Sequence, residues 1–171
     1  MTSKNERMTT AEATALFDQL EPATPEQMIG RWRGEGVDTD HPMDGMLESS
    51  YWYGKVFEGP EAVHPLIHKV PLWGRLSVNP TLLPIRAATA LPLRDTLAPF
   101  LFPVLAPFLR TGRPKARLRC VEFRGRQHAA MVYDAKAIID VFAQYDRDTL
   151  LGWMDCKGMA QPYFFKLLRD D

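Results

Sequence analysis

Residues 29–36 read Ile-Gly-Arg-Trp-Arg-Gly-Glu-Gly, a G-x-W-x-G-x-G pattern centred on Trp32. Side chains alternate between the two faces of a β-strand, so Trp32 points to one face while Arg31 and Arg33 point to the other. The glycines permit sharp curvature and close approach of a neighbouring backbone. We expect this stretch to be the strand that opens a small curved β-structure, with Trp32 packed at its closed end.

The C-terminal part of the sequence predicts an antiparallel meander. Polar and apolar residues alternate in short segments that are separated by turn residues, such as Arg124-Gly125-Arg126. Glycines within these segments fit a curved sheet or barrel. The predicted strands are 117–123, 127–133, 138–142, 149–155 and 162–169, preceded by two short strands at 63–70 and 73–78.

Helix signals occur in the N-terminal third. Thr9 is followed three residues later by a glutamate, which is the spacing of a capping box, and the apolar periodicity after it predicts an amphipathic helix over 10–20. A second start signal at Thr24 predicts a single helical turn. Apolar residues at helical spacing predict a further helix over 43–54.

The Gly30-x-Trp32-x-Gly34 pattern resembles the signature of the GXWXG domain, a short bacterial module usually followed by a companion domain of unknown function. It is also similar, more loosely, to the entrance strand of lipocalins and fatty-acid-binding proteins. The pattern from Ala116 to Asp155 is similar to the companion domain. The resemblance implies a mainly β fold: a small antiparallel, calycin-like barrel or strongly curved sheet with two or three flanking helices. The GXWXG-like part would cover 10–60 and the companion part 110–170.

Length and composition narrow the class of protein. A chain of 171 residues with 46% hydrophobic content predicts one compact domain over 10–171, after a disordered segment at 1–9. Lysine plus arginine and aspartate plus glutamate number 21 each, so net charge gives no attraction to nucleic acid or to an anionic membrane. The polar N-terminus lacks a signal-peptide pattern, which favours a cytoplasmic location.

No motif of catalysis or cofactor binding is evident. The chain has no nucleophile elbow and no glycine-rich phosphate loop, so we predict no catalytic residue and no cofactor. Cys120 and Cys156 lack zinc-site spacing and are expected to be buried or half-buried thiols. His64 and His68 have the spacing of two ligands on one helical face, but Pro65 between them disfavours a helix, and no metal site is predicted.

Residues 91–109 form an apolar run in which Pro99, Pro103 and Pro107 recur at every fourth position. In a single helix each proline would remove a hydrogen bond and force a bend. The 14 residues between Asp95 and Arg110 are too few to span a bilayer, which takes about 20. We interpret the run as a packed connector, a flap over a cavity mouth, or a surface for a membrane or for a second copy in a homodimer.

These features predict that the protein binds a small hydrophobic or amphipathic ligand, a fatty acid or similar lipid, in a barrel cavity, as a carrier or sensor. Arg117 or Arg119 would hold the polar head of the ligand. The predicted ligand-binding residues are Trp32, Met46, Trp52, Arg117, Arg119, Phe123, Met131, Tyr133, Phe142 and Trp153.

Three alternatives stay open at this stage. The first is a haem barrel similar to nitrobindin, although the C-terminal axial histidine of that pattern is missing and His41, His64, His68 or His128 would replace it. The second is an enzyme that uses Asp140, His128 or Tyr133 as acid or base. The third is a homo-oligomeric assembly module that associates through the 91–109 run.

Overall fold

The chain folds mainly into antiparallel β-strands. The computed structural model describes residues 7–84 and 94–170, without the side chains of residues 94 and 95. The described strands are β1 (Glu21–Pro22), β2 (Gly30–Gly36), β3 (Trp52–Gly59), β4 (Ala62–Val70), β5 (Gly74–Ser77), β6 (Ala116–Phe123), β7 (Arg126–Tyr133), β8 (Ile138–Gln144), β9 (Thr149–Cys156) and β10 (Tyr163–Arg169).

Eight of these strands close into a barrel. Their order around the barrel is β2-β3-β4-β6-β7-β8-β9-β10, and β10 pairs with β2 to complete the circle. The short strands β1 and β5 lie outside this circuit and extend β8 and β4. The predicted barrel is therefore confirmed, together with the entrance strand at Trp32 and the C-terminal meander.

The described helices are short except for the last. They are α1 (Thr10–Gln19), α2 (Pro25–Met28), α3 (Met46–Ser49) and α4 (Arg94–Leu109), with a 3-10 turn at Pro80–Leu82. The capping box of α1 is present, since Glu12 N–H donates to the Thr9 hydroxyl and Thr9 N–H donates to the Glu12 carboxylate. The same arrangement starts α2 at Thr24. Both predictions of these N-terminal helices are confirmed.

The predicted helix over 43–54 is wrong in its extent. Only Met46–Ser49 is helical, and β3 begins at Trp52. Gly45 and Tyr51 have positive φ angles of 80° and 59°, which a continuous helix does not allow. The helical spacing of the apolar residues over 43–50 thus reflects one turn that covers the end of the barrel.

Two clusters of buried side chains pack against the barrel wall, one on its inner face and one on its outer face. The first fills the interior and includes Trp32, Phe57, Phe142 and Phe165. The second lies on the outer surface of β7–β10, where Phe17 of α1 covers the wall. Alternation of side chains along each strand assigns successive residues to the two clusters.

The GXWXG glycine at position 34 makes room for a tryptophan from the next strand. A Cβ atom at Gly34 would overlap the indole ring of Trp52, which therefore lies directly on the glycine backbone. Trp32 is buried in the interior, and its Nε1 donates to the Met28 carbonyl of α2 at 2.7 Å. The motif therefore positions two tryptophans in the interior of the barrel.

Helix α4 tolerates three prolines because they lie on its inward face. Pro103 and Pro107 lack the N–H groups that would bond the carbonyls of Pro99 and Pro103. Those two carbonyls instead accept hydrogen bonds from Tyr51 Oη and Trp73 Nε1, each at 3.1 Å. The residues of the 91–109 run that the structure describes are thus helical. No described helix has the length and hydropathy needed to cross a bilayer.

Some smaller expectations need correction. Residues 1–6 lie outside the described residues, but Met8, which falls in the segment predicted to be disordered, donates its N–H to the Asp38 carbonyl. Cys120 is an exposed thiol, while Cys156 is buried as expected. Cys120 pairs with Ala129 in the β6–β7 hairpin, and its thiol lies 3.5 Å from Gln127 Oε1.

Candidate functional site

A cavity of about 80 Å³ lies inside the barrel beneath α3. Strands from opposite sides of the barrel supply its walls, and methionine and leucine side chains close it on the α3 side. Most of its surface is apolar, which is the usual character of a ligand site. The lining residues are Met43, Met46, Leu47, Ser50, Trp52, Lys55, Leu66, His68, Leu83, Tyr133, Ile138, Asp140, Met154, Tyr163 and Phe165.

A buried ion pair crosses this cavity. Lys55 Nζ lies 2.9 Å from Asp140 Oδ2, and their side chains are 3% and 1% exposed. Lys55 also donates to the Pro65 carbonyl at 3.2 Å and lies 5.0 Å from the centre of the Phe165 ring. Burial raises the pKa of Asp140, and the Lys55 ammonium counteracts this in part. Lys55 thus satisfies one carboxylate oxygen and leaves the other for a different partner.

His68 is a neutral imidazole at the wall of the cavity. Burial lowers its pKa from 6.5 to about 4, with a further contribution from Lys55. Its Nδ1 lies 2.7 Å from the Ser50 carbonyl oxygen, which only accepts hydrogen bonds, so Nδ1 carries the hydrogen. The Nε2 atom is then an acceptor with a free lone pair.

Three polar atoms around the cavity have no hydrogen-bond partner among the described residues. They are Trp52 Nε1, His68 Nε2 and Asp140 Oδ1, and all three residues line the same void. The first is a donor and the other two are acceptors. Buried polar atoms are nearly always paired. Three unpartnered atoms of cavity-lining residues are therefore unusual within the part of the chain that the structure describes.

Comparison with known proteins identifies the family. A model described as GXWXG protein matches residues 15–70, and the domain of unknown function DUF4334 matches residues 114–169. A protein from Thermomonospora curvata of known crystal structure is 30% identical, with 97% of this chain and 90% of that chain covered and a TM-score of 0.73. The chain belongs to the GXWXG family. No curated protein matches it.

The cavity of this GXWXG protein lies between the two matched segments. Trp52, Lys55 and His68 belong to the GXWXG segment, while Tyr133 and Asp140 belong to the DUF4334 segment. The ion pair between Lys55 and Asp140 therefore joins the two halves inside one barrel. Neither segment contains the complete site.

Six of the ten sequence-predicted ligand residues lie inside the barrel. Met46, Trp52 and Tyr133 line the cavity. Trp32, Met131 and Phe142 belong to the interior core but do not line this cavity. Three of the ten predicted residues thus line the cavity, and that they contact a ligand stays a prediction.

The other four predicted ligand residues lie outside the barrel. Phe123 and Trp153 pack with Phe17 beneath α1. Arg117 pairs with Asp134 at 3.0 Å, and Arg119 pairs with Glu61 at 2.5 Å. Because alternate residues of β6 face opposite sides, inward Leu118 directs both neighbouring arginines outward, where they cannot orient a ligand in the cavity.

The residues of the enzyme and haem alternatives do not converge on one site. Asp140 and Tyr133 face the cavity, but His128 lies on the outer surface, where its ring stacks on Phe17 at 5.3 Å. Of the four histidines only His68 lines the cavity, within the part of the chain that the structure describes. The volume of the barrel cavity is about 80 Å³. Sites that hold drug-sized or larger ligands have volumes of roughly 300–1,000 Å³. No cluster of three metal-ligating side chains occurs among the described residues.

The neutral state of His68 predicts acid sensitivity. Its pKa is about 4 in the folded protein and 6.5 in the reference state, so the unfolded chain binds the proton more tightly. The contribution of neutral His68 to the free energy of unfolding is fully present above pH 6.5 and is lost as the pH falls towards 4. His68→Asn keeps a donor for Ser50 but does not titrate. We expect the wild type to lose about 2 kcal/mol relative to this variant between pH 7 and pH 5, measured by urea unfolding; parallel pH profiles would contradict the assignment.

Proposed function

We propose that this GXWXG protein binds a small amphipathic molecule in the barrel cavity, as a carrier or sensor. The observation that carries the proposal is the set of three unpartnered polar atoms, Trp52 Nε1, His68 Nε2 and Asp140 Oδ1, at one apolar void. A ligand that both donates and accepts hydrogen bonds satisfies such a set. The apolar remainder of the wall accommodates a hydrocarbon portion.

The charges around the cavity favour a neutral hydroxyl head group over a carboxylate. Lys55 is already paired with Asp140, and His68 is uncharged, so neither offers a free positive charge. A second carboxylate beside Asp140 would meet like-charge repulsion in a medium of low dielectric. A hydroxyl group donates to Asp140 or His68 and accepts from Trp52. A fatty alcohol or similar lipid thus fits better than the fatty acid expected from the arginines.

The size of the cavity limits the hydrocarbon portion. A volume of about 80 Å³ accommodates a head group and a short chain. Met43, Met46 and Met154 line the void, and methionine side chains adapt to ligands of irregular shape. A longer chain, including that of 1-hexanol, therefore requires these side chains to move apart.

The test compares 1-hexanol with hexanoate by isothermal titration calorimetry at neutral pH. We expect 1-hexanol to bind at least about tenfold more tightly, because hexanoate brings an unpaired charge to Asp140. Native mass spectrometry of the freshly purified protein, followed by organic extraction, identifies any resident molecule. Equal binding of the two probes, or stronger binding of hexanoate, would exclude the proposed head group.

Two matched variants locate the binding site. Trp52→Phe removes the unpartnered indole N–H of a residue that lines the cavity, whereas Trp153→Phe makes the same change on the outer surface of the barrel. One neutral hydrogen bond contributes about 1 kcal/mol, so we expect Trp52→Phe to weaken 1-hexanol binding about fivefold. Trp153→Phe should leave it unchanged. Equal effects of the two substitutions would place the ligand elsewhere.

A further inference from the structure

From Leu97 to Phe108, the outward face of α4 is made of large apolar side chains. They recur at the spacing of one helical face, and Phe100 and Phe108 are 75% and 81% exposed. The helix has 16 residues, so the face is about 24 Å long. We call it the α4 face; its members are Leu97, Phe100, Leu101, Val104, Leu105 and Phe108.

The turn between β4 and β5 extends the α4 face. Leu72 is fully exposed, and Trp73 is about half exposed with its Nε1 bonded to the Pro103 carbonyl of α4. An indole ring with an apolar edge in solvent and its N–H satisfied is typical of side chains at membrane–water interfaces. The patch thus combines a helix and an aromatic turn on one side of the protein.

The chain segment that contains α4 is basic, although the whole chain has no net charge. Three of its arginines are neutralised by acids from outside the segment: Arg75 by Asp170, Arg117 by Asp134 and Arg119 by Glu61. Between residues 62 and 121 the only acidic residue is Asp95. Arg75, Arg110 and Arg113 are exposed, and the latter two form no ion pair with any described residue. The basic residues of the segment are Lys69, Arg75, Arg86, Arg94, Arg110, Arg113, Lys115, Arg117 and Arg119.

We propose that the α4 face docks on an anionic lipid surface. The exposed apolar stripe inserts into the interface, and Arg110 and Arg113, which follow α4 directly in the chain, attract the lipid phosphates. A second copy of the chain is a poorer partner, because a twofold interface through the α4 face would bring the Arg110 and Arg113 charges of both copies to one interface. The inward side of α4 lies at the cavity, where the Phe102 ring packs against His68 at 4.7 Å between centroids. The docking surface and the cavity are therefore on opposite sides of one helix.

The test is co-sedimentation of the full chain with phosphatidylcholine vesicles, with and without one-third phosphatidylglycerol. We expect the wild type to bind the anionic vesicles and to leave the neutral ones largely free. Phe100→Asp with Phe108→Asp should abolish binding, since both side chains would otherwise enter the interface. Ile29→Asp, a change at an exposed apolar residue elsewhere, should bind like the wild type.

The charge contribution is tested separately. Arg110→Gln with Arg113→Gln should weaken partitioning to anionic vesicles by about fivefold for each charge removed. Arg147→Gln with Lys157→Gln, both exposed and outside the basic segment, should have little effect. Absence of binding to anionic vesicles would overturn the proposal. It would also be overturned if the Arg110→Gln, Arg113→Gln variant and the Arg147→Gln, Lys157→Gln control lost vesicle binding to the same extent.

Two further measurements separate the possible outcomes. Light scattering measures the mass of the protein in solution. If the wild type is a dimer that Phe100→Asp dissociates, and if it does not bind vesicles, then the partner of the α4 face is a second copy and a lipid surface is excluded. Binding of 1-hexanol should be unchanged in the Phe100→Asp, Phe108→Asp variant. Lipid docking and ligand binding in the cavity can thus fail independently.

Discussion

Lys55→Met is expected to lower the free energy of unfolding by about 3–5 kcal/mol. Both members of the Lys55–Asp140 pair are buried, so removal of the ammonium leaves a carboxylate without its counter-charge in the barrel interior. The side chain of methionine fills nearly the same space, which limits any cavity term. Urea unfolding at neutral pH, followed by circular dichroism, measures the loss.

The double variant Lys55→Met, Asp140→Leu is the control for this prediction. Replacing both charges with apolar side chains removes the desolvation cost, so stability should recover to within about 1 kcal/mol of the wild type. The single variant should also approach the wild type at acid pH, because protonation of Asp140 removes the unpaired charge. A loss below about 1 kcal/mol in the single variant would show that the pair behaves like an exposed one.

The sequence predicted the barrel well because its strands carry local signals. The Trp32 strand and the β6–β7 hairpin follow regular alternation and short turns, and both form as expected. β3 was missed because its pairing with β4 contains register shifts between Trp52 and Gly54, Gly54 and Val56, and Phe57 and Gly59. Such bulges break the two-residue period from which a strand is recognised.

The candidate site was only partly predictable because its polar residues are far apart in sequence. Lys55 and Asp140 come from opposite halves of the chain, and nothing local indicates that two charges meet inside a barrel. His68 was considered only as a metal ligand or haem ligand. Asp140 is predicted only as an acid or base of the enzyme alternative. The prediction of Arg117 and Arg119 depends on the face to which β6 turns each side chain, and that register comes from tertiary packing.

Helix α4 shows the same distinction between local and tertiary information. Three prolines at every fourth position oppose a helix locally. Tyr51 and Trp73 supply the missing donors to two of the freed carbonyls, and both come from other parts of the chain. A helix with its apolar side outward and its prolines inward is therefore stabilised by tertiary contacts that no sequence period indicates.

Gly54→Ala is expected to lower the free energy of unfolding by about 2–5 kcal/mol. Gly54 has a φ angle of 153°, a conformation that L-residues rarely adopt. A Cβ atom there would also overlap the carbonyl oxygen of Trp32 on the neighbouring strand. A backbone atom cannot rotate away as a side chain can, so β2 and β3 would have to separate where they pair at Arg33.

Gly59→Ala provides a matched control at the other end of β3. No atom lies within 4 Å of the position that its Cβ would occupy. We therefore expect Gly59→Ala to change the free energy of unfolding by no more than about 0.5 kcal/mol. Separation of β2 from β3 at Gly54 would also displace Lys55, the next residue, from Asp140. Gly54→Ala should therefore lose 1-hexanol binding under conditions where it remains folded, while Gly59→Ala retains it. Equal stability of the two variants would mean that β3 moves without cost and that the GXWXG strand does not fix the position of Lys55.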